Sequence, residues 1–154
     1  MAIRPAADAD AEAAIALVRA AIAALCTADH QGHAATIEGW LANKTEENMR
    51  RWIQTPGSHV LLYERDGSLA GVGGYTGDGD LTLLYVAPER VGAGVGRALL
   101  EAIEASARGQ GLPRLRLTTT FTAREFFLAH GFTVMDEEGD IFSSGDGCEL
   151  WKEL

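Results

Sequence analysis

The twenty residues from Leu81 to Leu100 constrain the fold more than any other part of the chain. Leu81 to Val86 is a short apolar run stopped by Pro88, and Val95, Ala98, Leu99, Ala102 and Ile103 recur at helical spacing directly after Gly92, Gly94 and Gly96. The pattern predicts a buried strand, a glycine loop and a helix start. Three alternating glycines carry an entropic cost that an ordinary strand-to-helix turn has no need of, whereas a loop whose backbone must approach a ligand does. Backbone N–H groups and the positive end of the helix dipole converge on one point there, which suits a pyrophosphate even without a basic side chain.

Spacing separates the glycine motifs that compete for this stretch. A Walker loop requires Gly-x-x-x-x-Gly-Lys followed by Ser or Thr, and none is present. A dinucleotide fingerprint requires Gly-x-Gly-x-x-Gly, but counting from Gly92 and Gly94 the third position is Arg97, and from Gly94 and Gly96 it is Leu99.

The rest of the chain supplies further elements in sequence. Residues 2–5 read as a short extended start. Asp8 or Asp10 can cap a helix whose apolar positions Ile15, Val18, Ile22 and Leu25 step by three and four. A second helical region is expected at 35–42, and Thr45 followed by Glu46 and Glu47 starts another helix, through Trp52, that ends before Pro56. Residues 59–64 read as a strand, 65–68 as a hairpin turn and 69–75 as its partner, with Gly71, Gly73 and Gly74 marking a bulge or a close backbone approach. Gly77, Asp78 and Gly79 turn the chain into the central strand that begins at Asp80. The helix after the glycine loop should run to about Arg108 and stop at Gly109, Gly111 and Pro113. A strand follows at 114–119, then a helix over 123–130 capped by Thr120 or Thr122, a strand from Phe132, an acidic turn at 136–140 and a last strand reaching Trp151.

At 154 residues, with no repeat or linker, the chain is expected to form one domain over 1–154. Cys26 and Cys148 make no disulfide framework, which points to a reducing, cytoplasmic setting. Asp8, Asp10, Glu12 and Arg19 argue against a signal peptide or membrane span in the alanine-rich start. A formal charge of −9, with 13 Lys and Arg, argues against nucleic acid as a partner and weakly favours a cationic small acceptor.

Two blocks together carry a resemblance. The apolar strand, Val86-x-Pro88 and the loop from Gly92 through Gly94 and Gly96 to Arg97-Ala-Leu-Leu resemble the pyrophosphate loop of the GNAT superfamily of acyl-CoA-dependent N-acyltransferases. Ala123, Phe126, Gly131 and Phe132 resemble the superfamily's second signature, Asn-x-x-Ala-x-x-Phe-Tyr-x-x-x-Gly-Phe, with Thr120 where Asn is usual and Phe127 where Tyr is usual. The resemblance covers nearly the whole length. It implies a mixed α+β fold, a three-layer α/β/α sandwich whose central, largely antiparallel sheet splays at the CoA site. It also implies acetyl-CoA as co-substrate, bound by Leu84, Val86, Val91, Gly92, Ala93, Gly94, Val95, Gly96, Arg97, Thr120, Phe126 and Phe127. Main-chain groups of Leu84 and Val86 would pair with the pantetheine arm like an added strand, and the amide of Val86 would polarise the thioester carbonyl. Val91 stands where Arg or Gln is usual, so side-chain help to the pyrophosphate is lost there, with Arg90 and Arg97 as possible compensation.

Acyl transfer to an amine needs alignment of the two reactants and a neutral amine. An alkylammonium of pKa about 10 is mostly protonated at pH 7, so a carboxylate, or a water chain leading to one, serves as base. Asp80 matches a position where some members carry a catalytic Glu, with Asp78 as substitute, although Asp and Gly are also the ordinary residues of a hairpin turn. Where the family's Tyr gives a proton to the departing thiolate, Phe127 has none, which predicts slow rather than absent transfer unless Tyr75 or Tyr85 substitutes. Segments between the first helix and the second strand would wall the acceptor pocket and place Asp29 and His30 at the substrate, or leave them in a polar loop. Cys26, His30 and His33 offer too few assured ligands for a closed zinc site, so no metal is expected. The reading is an N-acetyltransferase, a monomer or homodimer, acting on a small-molecule or peptide amine. The alternative is a non-catalytic acyl-CoA-binding regulator, a reading that Phe127 favours.

Overall fold

The computed structural model describes residues 2–25, 42, 44–90, 92–119, 121–134 and 148–154. Strands β1 (Ala2–Pro5), β2 (Ser58–Arg65), β3 (Ser68–Thr76) and β4 (Leu81–Val86) form an antiparallel sheet in that order. A second antiparallel sheet takes β5 (Arg114–Thr119), β7 (Cys148–Glu153) and β6 (Thr133–Val134) in the order β5-β7-β6. Where the two sheets meet, β4 and β5 share one isolated parallel bridge between Asp80 and Arg116, with the Arg116 N–H donating to Gly79 O at 2.8 Å. Beyond that point no ladder joins β4 to β5 among the described residues, so the strands are mixed, largely antiparallel and splayed, as the resemblance implies.

Helices cover both faces. Helices α1 (Ala11–Leu25) and α2 (Glu46–Gln54) lie on one side, where Ile15, Val18, Ile22 and Met49 are buried against Val60, Leu62, Val72 and Leu83. The Thr45 hydroxyl caps α2 by accepting from the Asn48 N–H at 3.1 Å, and Trp52 packs half-buried on this core. Asp10 caps α1 indirectly: it ends a 3-10 turn over Asp8–Asp10, and its carboxylate accepts the Ala7 N–H at 2.7 Å and the Arg4 guanidinium at 2.9 and 3.0 Å.

Helix α3 (Val95–Gly109) covers the other face and bridges the two sheets. Val95 and Leu99 pack with Tyr63 and Ala70 of the first sheet, while Leu100, Ile103 and Ala107 pack with Leu115, Leu117 and Leu150 of the second. The glycines of β3 make this possible, because a Cβ at Gly71 would lie 2.5 Å from Leu99 Cδ1 and one at Gly73 2.7 Å from Ile103 Cδ1. The bulge expected there is also present, as a register shift between Gly74 and Tyr75.

Helix α4 (Phe121–Ala129) corrects one boundary. It begins two residues before the expected start, so Thr122 lies inside the helix and does not cap it; Thr120 is outside the described residues. The regions 35–42 and 136–140 also lie outside them, apart from Ala42. Among the described residues no helix is long and apolar enough to cross a membrane.

Candidate active site

The open edge of β4 forms one side of the site. The Ala87 N–H donates to Ala70 O on β3 at 2.8 Å, in register with the Gly71–Val86, Val72–Tyr85 and Gly73–Leu84 pairs. Main-chain groups alternate in direction along a strand, so those of Tyr85 also point at β3 while those of Leu84 and Val86 point away, into the gap between β4 and β5. That is the orientation an added, strand-like ligand needs.

The glycine loop forms the second side. Gly92 (φ 85°) and Gly94 (φ 83°) sit in the left-handed region that side-chain-bearing residues rarely adopt, and Gly94 is the residue before the first turn of α3. The first bond into the helix runs from the Ala98 N–H to Gly94 O at 3.1 Å. The amides of Val95, Gly96 and Arg97 therefore have no partner among the described residues and lie at the helix mouth, where an anion is favoured. The Ala93 N–H is taken by Arg90 O at 3.2 Å within the turn, which removes it from the expected set of donors. Val91 lies outside the described residues.

The two sides meet at Gly96. A Cβ there would stand 3.4 Å from Phe126 of α4 and 3.5 Å from Val86 of β4, so strand edge, helix mouth and α4 converge on one spot. Phe126 is held by His130, whose ring lies 4.4 Å away and whose Nδ1 is bonded to Phe126 O at 2.7 Å. Phe127 points the other way. It is 5% exposed, edge-on to Phe132 and Phe126, and part of the core with Leu115 and Leu150. Helical spacing accounts for the split, since adjacent residues on a helix lie about 100° apart and cannot share a face.

The arginines are distributed differently from the expectation. Arg90 reaches the β2–β3 turn, donating to Asp66 Oδ2, Arg65 O and Ser68 Oγ, each at 3.2 Å, so it does not compensate for Val91. Arg97 is exposed and pairs with Glu101 at 3.3 Å. Sequence reasoning missed Arg65, whose Nη1 reaches Ala93 O at 3.4 Å from 28 residues upstream. Its only signal was membership of a hairpin turn.

Asp80 stands at the closed end of the splay, where Oδ1 accepts from Arg116 Nε at 2.6 Å with both side chains about half exposed. Four residues of strand, about 13 Å, separate it from Leu84. Asp78 is exposed in the turn before it. Tyr75 is excluded as a proton donor to the site, being fully buried with its hydroxyl on Ser106 Oγ at 2.5 Å. Tyr85 lies between Leu84 and Val86 and packs on the α1 side of the sheet. Asp29, His30, Cys26 and His33 are outside the described residues, among which no group of three or more His, Cys, Asp or Glu is placed to hold a metal.

A separate cavity of about 450 Å3 runs along the flank of α3 toward Glu104 and His130. Its charges are matched internally: Lys152 Nζ donates to both Glu104 carboxylate oxygens at 3.1 and 3.0 Å and to His130 O at 2.8 Å, tying α3, α4 and β7 together.

A family model described as an acetyltransferase (GNAT) domain matches residues 24–141, which include the whole β4–loop–α3 unit. The chain belongs to the GNAT acetyltransferase family. A GCN5-related N-acetyltransferase of Rhodopseudomonas palustris superposes with a TM-score of 0.85 at 25% identity, over 99% of this chain and 95% of that one. The PaiA N-acetyltransferase of Thermoplasma acidophilum, solved in complex with coenzyme A, superposes with a TM-score of 0.80 at 21% identity over the full length of both. The amino-acid acetyltransferase of Ralstonia nicotianae is 36% identical over 88 residues, a match that takes in 54% of this GNAT chain but only 19% of the relative's length.

Proposed function

We propose that this GNAT chain transfers the acetyl group of acetyl-CoA directly to the primary amine of a small molecule or peptide. The observation that carries the reading is the convergence at Gly96. The Val86 side chain and Phe126 meet the first turn of α3 there, so the outward-facing edge of β4 at Leu84 and Val86 leads to amides at the mouth of α3 that have no bond among the described residues, a shape that takes a pantetheine arm along the strand and a pyrophosphate on the helix. In this reading the pantetheine adds to β4 as a strand, the Val86 amide donates to the thioester carbonyl, and the amine attacks from the gap. Alignment supplies most of the rate. Similarity to an amino-acid acetyltransferase over part of its length supports an amine of amino-acid size as the first acceptor to try.

Asp80 acts as the base through intervening water, since Oδ2 has no bond among the described residues while Arg116 holds Oδ1 and fixes the carboxylate. Steady release of free CoA thiol with one of a set of amines, amino acids and peptides tests the reaction. The absence of turnover with every acceptor, together with intact CoA binding, would establish the regulator instead. For Asp80, Asp80→Asn should lower the rate most below the pKa of the amine and progressively less as pH rises, because free amine then needs no base. Arg116→Gln is the control: it removes the side-chain ion pair but leaves the carboxylate and the backbone bridge between the sheets. An Asp80→Asn profile with the shape and height of the native one, or one that Arg116→Gln reproduces, would reduce Asp80 to a structural partner.

A further inference from the structure

We propose that Arg65 is a positioning residue for acetyl-CoA, orienting and polarising the Ala93–Gly94 peptide of the glycine loop from behind and thereby supplying from the β2–β3 hairpin the charge that Val91 does not. The inference rests on the reading of that loop as the pyrophosphate cradle.

Three arginines surround the loop, and the structure distinguishes them. Arg90 is committed to Asp66, Arg65 O and Ser68 Oγ, and Arg97 has Glu101 beside it. Arg65 has no carboxylate partner among the described residues; its guanidinium meets only Ala93 O, at 3.4 Å. That bond is long, so the group is placed at the loop while most of its donors stay available.

What the bond does follows from peptide geometry. In a trans peptide the C=O and N–H point in opposite directions, so a cation on the carbonyl of Ala93 leaves the N–H of Gly94 pointing away from Arg65, on the other side of the peptide. It also polarises that N–H, because a hydrogen bond at one end of an amide strengthens the bond made at the other. The Gly94 N–H has no partner among the described residues. In a chain of charge −9 an anion needs such help, and a guanidinium within a Debye length, about 8–10 Å, offsets the repulsion.

The hairpin is built to hold Arg65 in place. Asp66 (φ 55°) and Gly67 (φ 81°) form a tight two-residue turn, and Arg90 grips that turn by the Arg65 carbonyl and the Asp66 and Ser68 side chains. Arg90 therefore fixes the backbone of Arg65 against the loop, and the Arg65 side chain reaches across to it.

Calorimetry with CoA, and kinetics with acetyl-CoA against S-acetyl-pantetheine, which has no phosphate, test the proposal. Arg65→Ala should weaken CoA binding about three- to tenfold at low salt, with the deficit shrinking as salt is raised, and should raise the KM for acetyl-CoA rather than lower kcat. The KM for S-acetyl-pantetheine should not move, and Arg65→Lys should restore most of the affinity. Native CoA affinity in Arg65→Ala at low salt would overturn the assignment, as would an equal loss with S-acetyl-pantetheine, the mark of a merely structural defect. Gly94→Asp reports separately on the loop, placing a carboxylate where the phosphates lie. If that variant, folded, keeps native CoA affinity, the pyrophosphate reading itself falls; if Gly94→Asp loses affinity and Arg65→Ala does not, only the role of Arg65 falls.

Discussion

Phe127 poses the sharpest question at the scale of single residues. By the resemblance it stands where the superfamily usually has a proton-donating Tyr, yet its ring is 5% exposed and packed among Phe126, Phe132 and Leu115. A thiol of pKa about 8.5 leaves as thiolate at pH 7 at a cost of only about 2 kcal/mol, taking about 1.36 kcal/mol per pKa unit, so the lack of a general acid would slow transfer without preventing it. Because the ring points away from the site into the core, Phe127→Tyr is expected to leave kcat and KM nearly unchanged. It should also lower stability by about 1 kcal/mol, because a hydroxyl is added to a ring already buried in the core. Rates with acetyl-CoA and urea unfolding of the same preparation check both halves. A kcat raised in Phe127→Tyr would show that the ring turns toward the thiol, and turnover abolished in Tyr85→Phe would give the acid role to Tyr85.

At the scale of elements, local signals in the sequence were legible and contacts between distant segments were not. The glycine loop and the stop at Gly109 placed α3 within one residue of its observed Val95–Gly109 span, and Thr45 was read correctly as the cap of α2. The start of α4 differs from the expectation by two residues because both Thr120 and Thr122 offer cap chemistry and the sequence does not choose between them. Neither Arg65 at Ala93 nor Arg116 at Asp80 could be seen, since partners 28 and 36 residues apart leave no periodic trace. The glycines of β3 announced a close approach but not what approaches. The structure shows that it is α3, whose height above the sheet depends on Gly71 having no side chain. Gly71→Val should drive a branched side chain into Leu99 and Val95, costing about 1–3 kcal/mol by overpacking. It should also lift the N-terminal turn of α3 and weaken CoA binding. Urea unfolding and calorimetry give the two readings. Native CoA affinity in a destabilised Gly71→Val would show that the helix mouth is positioned by the loop alone.

For the molecule as a whole, the charge balance sets how stability responds to acid. Moderate acid reduces the self-repulsion of a chain of charge −9, so the main acid-side losses come from carboxylates held in their charged form by native partners. Asp10 is the clearest of these. The guanidinium of Arg4, with help from the Ala7 N–H, lowers its pKa from 3.8 to about 2, and Arg4 in turn bonds Glu64 at 2.7 Å, so the cluster ties β1 and β2 to the start of α1. A carboxylate whose native pKa is depressed stabilises the fold fully above its unfolded value; that contribution fades as pH falls from about 3.8 toward about 2. The full shift would correspond to about 2.5 kcal/mol, but both partners are reached by solvent, and screening reduces the expected contribution to about 1 kcal/mol. Asp10→Asn keeps an oxygen to accept the Ala7 N–H and removes only the charge. It should therefore be less stable than the native chain by about that amount from pH 5 to 8, with the gap closing through pH 4 to 2 and narrowing in high salt. Urea midpoints at a series of pH values measure it. A gap that stays constant to pH 2 would mean that hydrogen-bond geometry, and not the charge of Asp10, holds the start of α1 to the sheet.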